Sequence, residues 1–140
     1  MKEIVFDTGL VTYSLNGKLD LTFNPTDSNF VKRLHDAFDH LDKRQEEHES
    51  EMRDLKDPKQ IFEIAETRDR EMREIVDGVL GESACDRLIG DTNIYALANG
   101  LPIWCNLLLA IMDEVDTSFA REQKATNPRI EKYTKKYQRR

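Results

Sequence analysis

Residues 93–112, NIYALANGLPIWCNLLLAIM, carry no charged side chain, in a chain that is 34% charged. Such a segment has to be covered by lipid, by a protein core or by a partner. A bilayer span needs about twenty apolar residues. This stretch has the length, but Asn93, Asn99, Gly100, Pro102 and Asn106 interrupt it, and Asp91, Asp113, Glu114 and Asp116 flank it. Asparagines and a central proline are costly in lipid, and no basic cluster lies close enough to orient a span. A core helix is the expectation. Leu97, Leu101, Trp104, Leu108, Ile111 or Met112, Val115 and Phe119 form one broad apolar stripe, widened by Ile103 and Leu107. Pro102 clashes with a preceding turn, so this helix should kink or split near residue 100.

The chain has 140 residues, enough for one domain with a modest core. Residues 1–126 are expected to form it. Residues 1–24 read as strands. LVTYSL and KLDLTF flank Asn16-Gly17, which supplies the two positive-φ residues of a type I′ hairpin turn. Leu19, Leu21 and Phe23 alternate with polar residues, so one face of the hairpin is apolar. Thr26 or Asp27 can cap a helix whose stripe is Phe30, Leu34, Ala37, Phe38 and Leu41. Beyond Leu41 the stripe thins, and DKRQEEHESEMRD reads as a solvated arm leaving the body. Asp57 and Pro58 stop that helix and start the next, with Gly81 as the end signal. Residues 27–80 therefore form an antiparallel helical hairpin with a polar tip and an apolar base. Ser83 and Asp86 suggest a capping box for a short helix ending at Gly90. Asp91 or Thr92 would cap the core helix, giving a short helix and a core helix over 84–124. The fold class is mainly α with a minor β-hairpin. Trp104 should be buried against the base of the helical hairpin.

Charge is uneven. Residues 127–140, NPRIEKYTKKYQRR, hold six basic side chains and one acid, on a chain of net charge −6. An acidic body repels nucleic acid, while a basic tail can meet phosphate or an acidic protein. Tyr133 and Tyr137 among the basic residues could stack on bases, but one short tail is thin support for nucleic-acid binding. Cys85 and Cys105 have no motif spacing and read as free thiols of a reducing cytoplasm. Cys105 has no histidine near it in sequence and reads as a small buried hydrophobe.

The sharpest catalytic candidate lies across the helical hairpin. Antiparallel pairing would bring Asp36 and Asp39 level with Asp77 and Glu74, and four carboxylates can hold Mg²⁺ for phosphate chemistry. All-α nucleotide pyrophosphohydrolases use helices in this way, but their doubled-glutamate motif is not found in QEEHESE. Lys32, Arg33, Lys43 and Arg73 are ready ion-pair partners for the same acids. His35 and His40 are five apart, off the spacing that puts two ligands on one helix face. No phosphate loop, zinc spacing or nucleophile triad is present, so no catalytic, metal or cofactor site is expected.

In element order the chain resembles tail assembly chaperones of siphophages and prophages of Gram-positive bacteria. The resemblance is carried by LTFNPTDSNFVKRL, two charged helices, EIVDGVLGESACDRLIGDTNIYALANGLPIW and the basic-aromatic end RIEKYTKKYQRR. It implies a non-enzymatic protein of the host cytoplasm. It further implies self-association and binding to the long helical tape-measure protein, which is kept soluble until tail-tube subunits replace the chaperone. Expected partner contacts are Leu97, Leu101, Leu108, Met112, Val115 and Phe119, with Lys132, Tyr133, Lys136 and Tyr137 in the tail. Two other functions fit the residues: a small phage or bacterial regulator acting by protein binding, such as a host-defence inhibitor, and the metal-dependent hydrolase.

Overall fold

Asn16 and Gly17 both adopt positive φ, 53° and 69°, and Lys18 N–H closes the turn on Leu15 C=O at 3.0 Å. The computed structural model, which describes residues 1–125 and 127–131, thus places the first hairpin where the Asn-Gly pair requires it. Strand β1 is Val11–Leu15 and β2 is Leu19–Phe23. They pair antiparallel, Val11 opposite Phe23 and Leu15 opposite Leu19. Residues 1–10 form no strand; the expected strand region begins only at Val11.

Asp27 accepts the N–H of Asn29 and opens α1, Ser28–Met52. Asp57 does the same for Lys59 and opens α2, Pro58–Leu80, with Pro58 in the first turn. Gly81 ends α2 with φ 116°. The short helix α3, Ala84–Ile89, is not capped by Ser83, which sits at φ 60° and makes no side-chain cap bond. Asp77 caps it from α2 instead, accepting Cys85 N–H at 2.9 Å. The expected capping box gives way to this tertiary cap because Asp86 is drawn to Arg73.

The apolar stretch departs most from expectation. No helix begins at Asn93. Asn99 and Gly100 take φ 56° and 79° and turn a second, two-residue ladder. Its strands are β3, Leu97–Ala98, and β4, Leu101–Pro102. Helix α4 starts only at Ile103 and runs to Lys124. Pro102 has no N–H to give to a ladder or a helix, so it closes the first and opens the second. The first free amides of α4 are satisfied by the loop: Ile103 N–H donates to Ala96 C=O and Trp104 N–H to Ile94 C=O. The helix is therefore split at Pro102 rather than kinked within a longer span.

One hydrophobic cluster runs from Leu19 to Val115 through both hairpins, α3 and α4. Leu34, Leu41, Met72, Val76 and Leu108 are fully enclosed in it. Each such side chain contributes about 1.5–3 kcal/mol relative to exposure. Trp104 is buried, edge-on to Phe38 with ring centroids 5.3 Å apart. Its Nε1–H donates to Gln45 Oε1 at 2.8 Å. It therefore lies against the apolar base at Phe38 and reaches on to Gln45 beyond it. For the same reason DKRQEEHESEMRD is not a free arm, since Gln45 and the buried His48 meet the 93–104 segment.

No helix among the described residues is long and apolar enough to cross a membrane. Leu108→Ala should lower unfolding free energy by about 2–5 kcal/mol, as cavity-forming core changes do. Leu97→Ala, on the exposed ladder, should stay within about 0.5 kcal/mol. Urea denaturation of the two variants checks both.

Candidate functional site

Three features around α2 and α4 bear on function: two polar networks and an apolar groove. The first network centres on Arg73. Its Nε donates to Asp69 at 3.0 Å and one terminal nitrogen to Asp86 at 2.9 Å. The other terminal nitrogen donates to Gly90 C=O and Thr92 C=O, at 2.7 and 2.6 Å. Asp69 also accepts Ile94 N–H at 2.7 Å. All of these contacts but the Arg73–Asp69 pair, which lies within α2, tie residues 86–94 to α2, so the fork is committed to structure.

The second network lies between α1, α2 and Tyr95, with His48 buried and Arg44 and Glu71 partly exposed. His48 Nε2 lies 3.0 Å from Arg44 and 3.3 Å from Glu71, and its Nδ1 shares a hydrogen bond of 2.7 Å with Tyr95 Oη. Arg44 also bonds Glu71 at 2.6 Å and pairs with Glu47. Arg68 lies over the Tyr95 ring, 4.1 Å from its centroid. Burial pushes the Tyr95 phenol up to about 12, so it stays protonated and available for hydrogen bonding at neutral pH. The hydrogen bond from Arg44 holds the Glu71 carboxyl below the ordinary value of 4.5.

Of the four carboxylates weighed for metal, Asp36 pairs with Lys32 at 2.8 Å and Asp77 caps α3. Among the described residues no group of three or more His, Cys, Asp or Glu side chains is arranged to hold a metal ion. Arg73 serves Asp69 and Asp86 rather than those acids. Burial raises the Cys85 thiol far above its ordinary value, and its Sγ–H points at Arg73 C=O at 3.8 Å. Cys105 is half-buried, and burial raises its thiol as well.

The groove lies between β1, α3 and α4. It encloses about 490 Å³ and is lined by Tyr13, Leu15, Ile89, Ile103, Leu107 and Ala110, with Asn106 and Glu114 among the polar residues. It exists because the apolar face of the first hairpin is unevenly covered. Leu19, Leu21 and Phe23 of β2 are buried, whereas Tyr13 and Leu15 of β1 are half-buried and Val11 is exposed. Asn106 ties the second ladder to one end of α4, donating to Ala98 C=O at 2.8 Å. Leu97 and Leu101 stand exposed on that ladder.

The expected partner residues therefore separate. Leu97 and Leu101 are exposed, but on the ladder rather than on a core helix. Met112 is half-buried and Phe119 is exposed near the end of α4. Leu108 and Val115 are consumed by the core and cannot meet a partner: they occupy the side of α4 that faces α1. Lys132, Tyr133, Lys136 and Tyr137 lie outside the described residues. The groove residues of β1 were missed as a site, although the alternation of Val11, Tyr13 and Leu15 marks them as a face needing cover.

No family model, curated protein or solved structure matches the chain.

Two outcomes are expected. Tyr95→Phe removes the hydroxyl partner of the buried His48 ring and should cost about 1–3 kcal/mol in denaturant unfolding. Glu71 has a lowered folded value, so its contribution is full above the ordinary carboxylate range and is lost as pH falls through the folded value. Stability of the native chain should therefore decline below about pH 4.5. Glu71→Gln should flatten that acid limb, as read from unfolding curves between pH 3 and 6.

Proposed function

We propose that the chain is a non-catalytic tail assembly chaperone that holds an apolar helical segment of a tape-measure protein in the host cytoplasm. The observation that carries this reading is the apolar groove on α4, whose lining residue Asn106 holds the ladder on which Leu97 and Leu101 stand exposed, on a chain 34% charged. An apolar furrow with a polar margin suits an amphipathic helix presented by a larger protein. The rest of the surface suits a holder. The long faces of α1 and α2 carry exposed ion pairs such as Lys32–Asp36, which keep a loaded complex in solution.

The polar networks support the same reading in a different way. Arg73, Asp69 and Asp77 are each bonded to backbone amides or carbonyls of the 85–94 region, and Asp77 is one of the four carboxylates that the metal reading used. Their geometry serves positioning. The partner surface is then the β1 side of the groove with Leu97 and Leu101 on the adjoining ladder, joined by the basic residues of the tail; Met112 and Phe119 lie about half a turn round α4 from the groove lining.

The test is co-expression with a long helical tape-measure protein from the same genome. The native chain should keep that protein soluble and co-purify with it. Leu97→Asp combined with Leu101→Asp should cut the co-purified amount at least about tenfold, a loss of roughly 1.4 kcal/mol, without altering the chain's own thermal unfolding. Deleting residues 127–140 should weaken the complex more at low salt than at high salt. An insoluble tape-measure protein beside a well-folded native chain would overturn the reading.

A further inference from the structure

The groove has a candidate occupant in the chain itself. Residues 1–10 form no secondary structure, yet Ile4, Val5 and Phe6 are 89%, 80% and 77% exposed. Three consecutive β-branched or aromatic residues left in water are an open strand-forming segment. Its root is held firmly. Asp7 accepts Gly9 N–H at 2.8 Å, and Asn24 Nδ2 donates to Thr8 C=O at 3.0 Å. Asn24 Oδ1 is fixed in turn by Thr26 N–H and Oγ1–H. Gly9 takes φ 72°, and a Cβ there would lie 2.6 Å from Asn24 Nδ2. The segment thus leaves the body in a set direction, at the start of β1.

We propose that the segment Lys2–Phe6 of a second copy of this chain lies in the groove, along the free edge of β1. Four features of the two surfaces match. First, among the described residues β1 pairs with β2 alone, so one edge is open to strand addition. Second, side chains alternate along a strand, which puts Lys2, Ile4 and Phe6 on one face. Ile4 and Phe6 then meet Leu107 and Ala110, and Lys2 reaches Glu114 at the groove's end. Third, the lengths agree: Lys2–Phe6 spans about 13 Å when extended, and α4 from Asn106 to Glu114 rises about 12 Å. Fourth, segment and groove sit at opposite ends of β1. The root is pinned at Thr8 beside Asn24, whereas the groove is lined by the stretch from Tyr13 to Asn16. A segment that leaves from one end serves a neighbour's groove more readily than its own. Two copies exchanging segments reciprocally would satisfy both, as a two-fold dimer does.

The inference rests on the groove being a docking surface, as in the proposed function, and adds its resting occupant. Light scattering of the full-length chain at tens of micromolar should give a dimer. Deleting residues 2–6 should give a monomer with unchanged far-ultraviolet dichroism. Ala110→Arg, at an exposed groove position, should weaken the dimer at least about tenfold, as should Phe6→Asp. A fluorescent peptide of residues 1–10 should bind the deletion variant and fail to bind the same variant carrying Ala110→Arg. A monomeric native chain, or a deletion variant that remains dimeric, overturns the inference. Either result leaves the tape-measure reading to its own co-expression assay, and failed solubilisation by a dimeric chain overturns that reading alone.

Discussion

Arg73 is the contact on which the arrangement of the second half of the chain depends. A guanidinium offers five donors in a rigid plane, and here four contacts reach two carboxylates and two carbonyls. Together with the bonds of Cys85, Asn93 and Ile94 to Asp77, Ala65 and Asp69, they seat residues 85–94 on α2, just ahead of Tyr95 and the ladder that leads into α4. The side chain is mostly buried. A buried charge of this kind is tolerable only because its polar hydrogens are satisfied. One residue thereby converts a charged helix face, unremarkable in sequence, into the platform for the apolar half of the fold.

Much of this was legible in the chain, and the failures have physical causes. Local signals worked where one residue decides a backbone state: Asn16-Gly17 turned, Asp27 and Asp57 capped, and Gly81 ended its helix. The apolar face of β2 was plain from its period of two. The same Asn-Gly signal at Asn99-Gly100 was outweighed by the helical spacing of Leu97, Leu101, Trp104 and Leu108. That spacing was partly accidental, since Leu97 and Leu101 lie on a ladder and only the last two on α4. The 42–54 segment looked solvated because Gln45 and His48 find their neighbours in residues 93–104, a separation that no local pattern reports. For the same reason the Asp77 cap replaced the expected Ser83 box. The groove was harder still, because a vacancy depends on how far β1 overhangs α4, and sequence shows only that Tyr13 and Leu15 are apolar.

The groove and the core are two outcomes of one limitation in size. A chain this short has enough apolar area to cover β2 but not β1. The half-buried Tyr13 stacks on Phe23 with centroids 5.1 Å apart, and Phe23 stacks on Phe30 at 4.2 Å. This aromatic row holds the hairpin at a fixed height, so the space under β1 stays open instead of collapsing. An apolar surface kept rigid in this way loses little entropy when filled.

The contact separations also order the assembly of the chain. Both hairpins close short loops, whereas the bonds from His48 to Tyr95 and from Gln45 to Trp104 join residues 47 and 59 apart. Closing longer loops is entropically later work. The uncharged stretch is therefore the last large piece to find cover. For as long as that takes, the nascent protein carries the same exposed apolar length that it is proposed to shield in another.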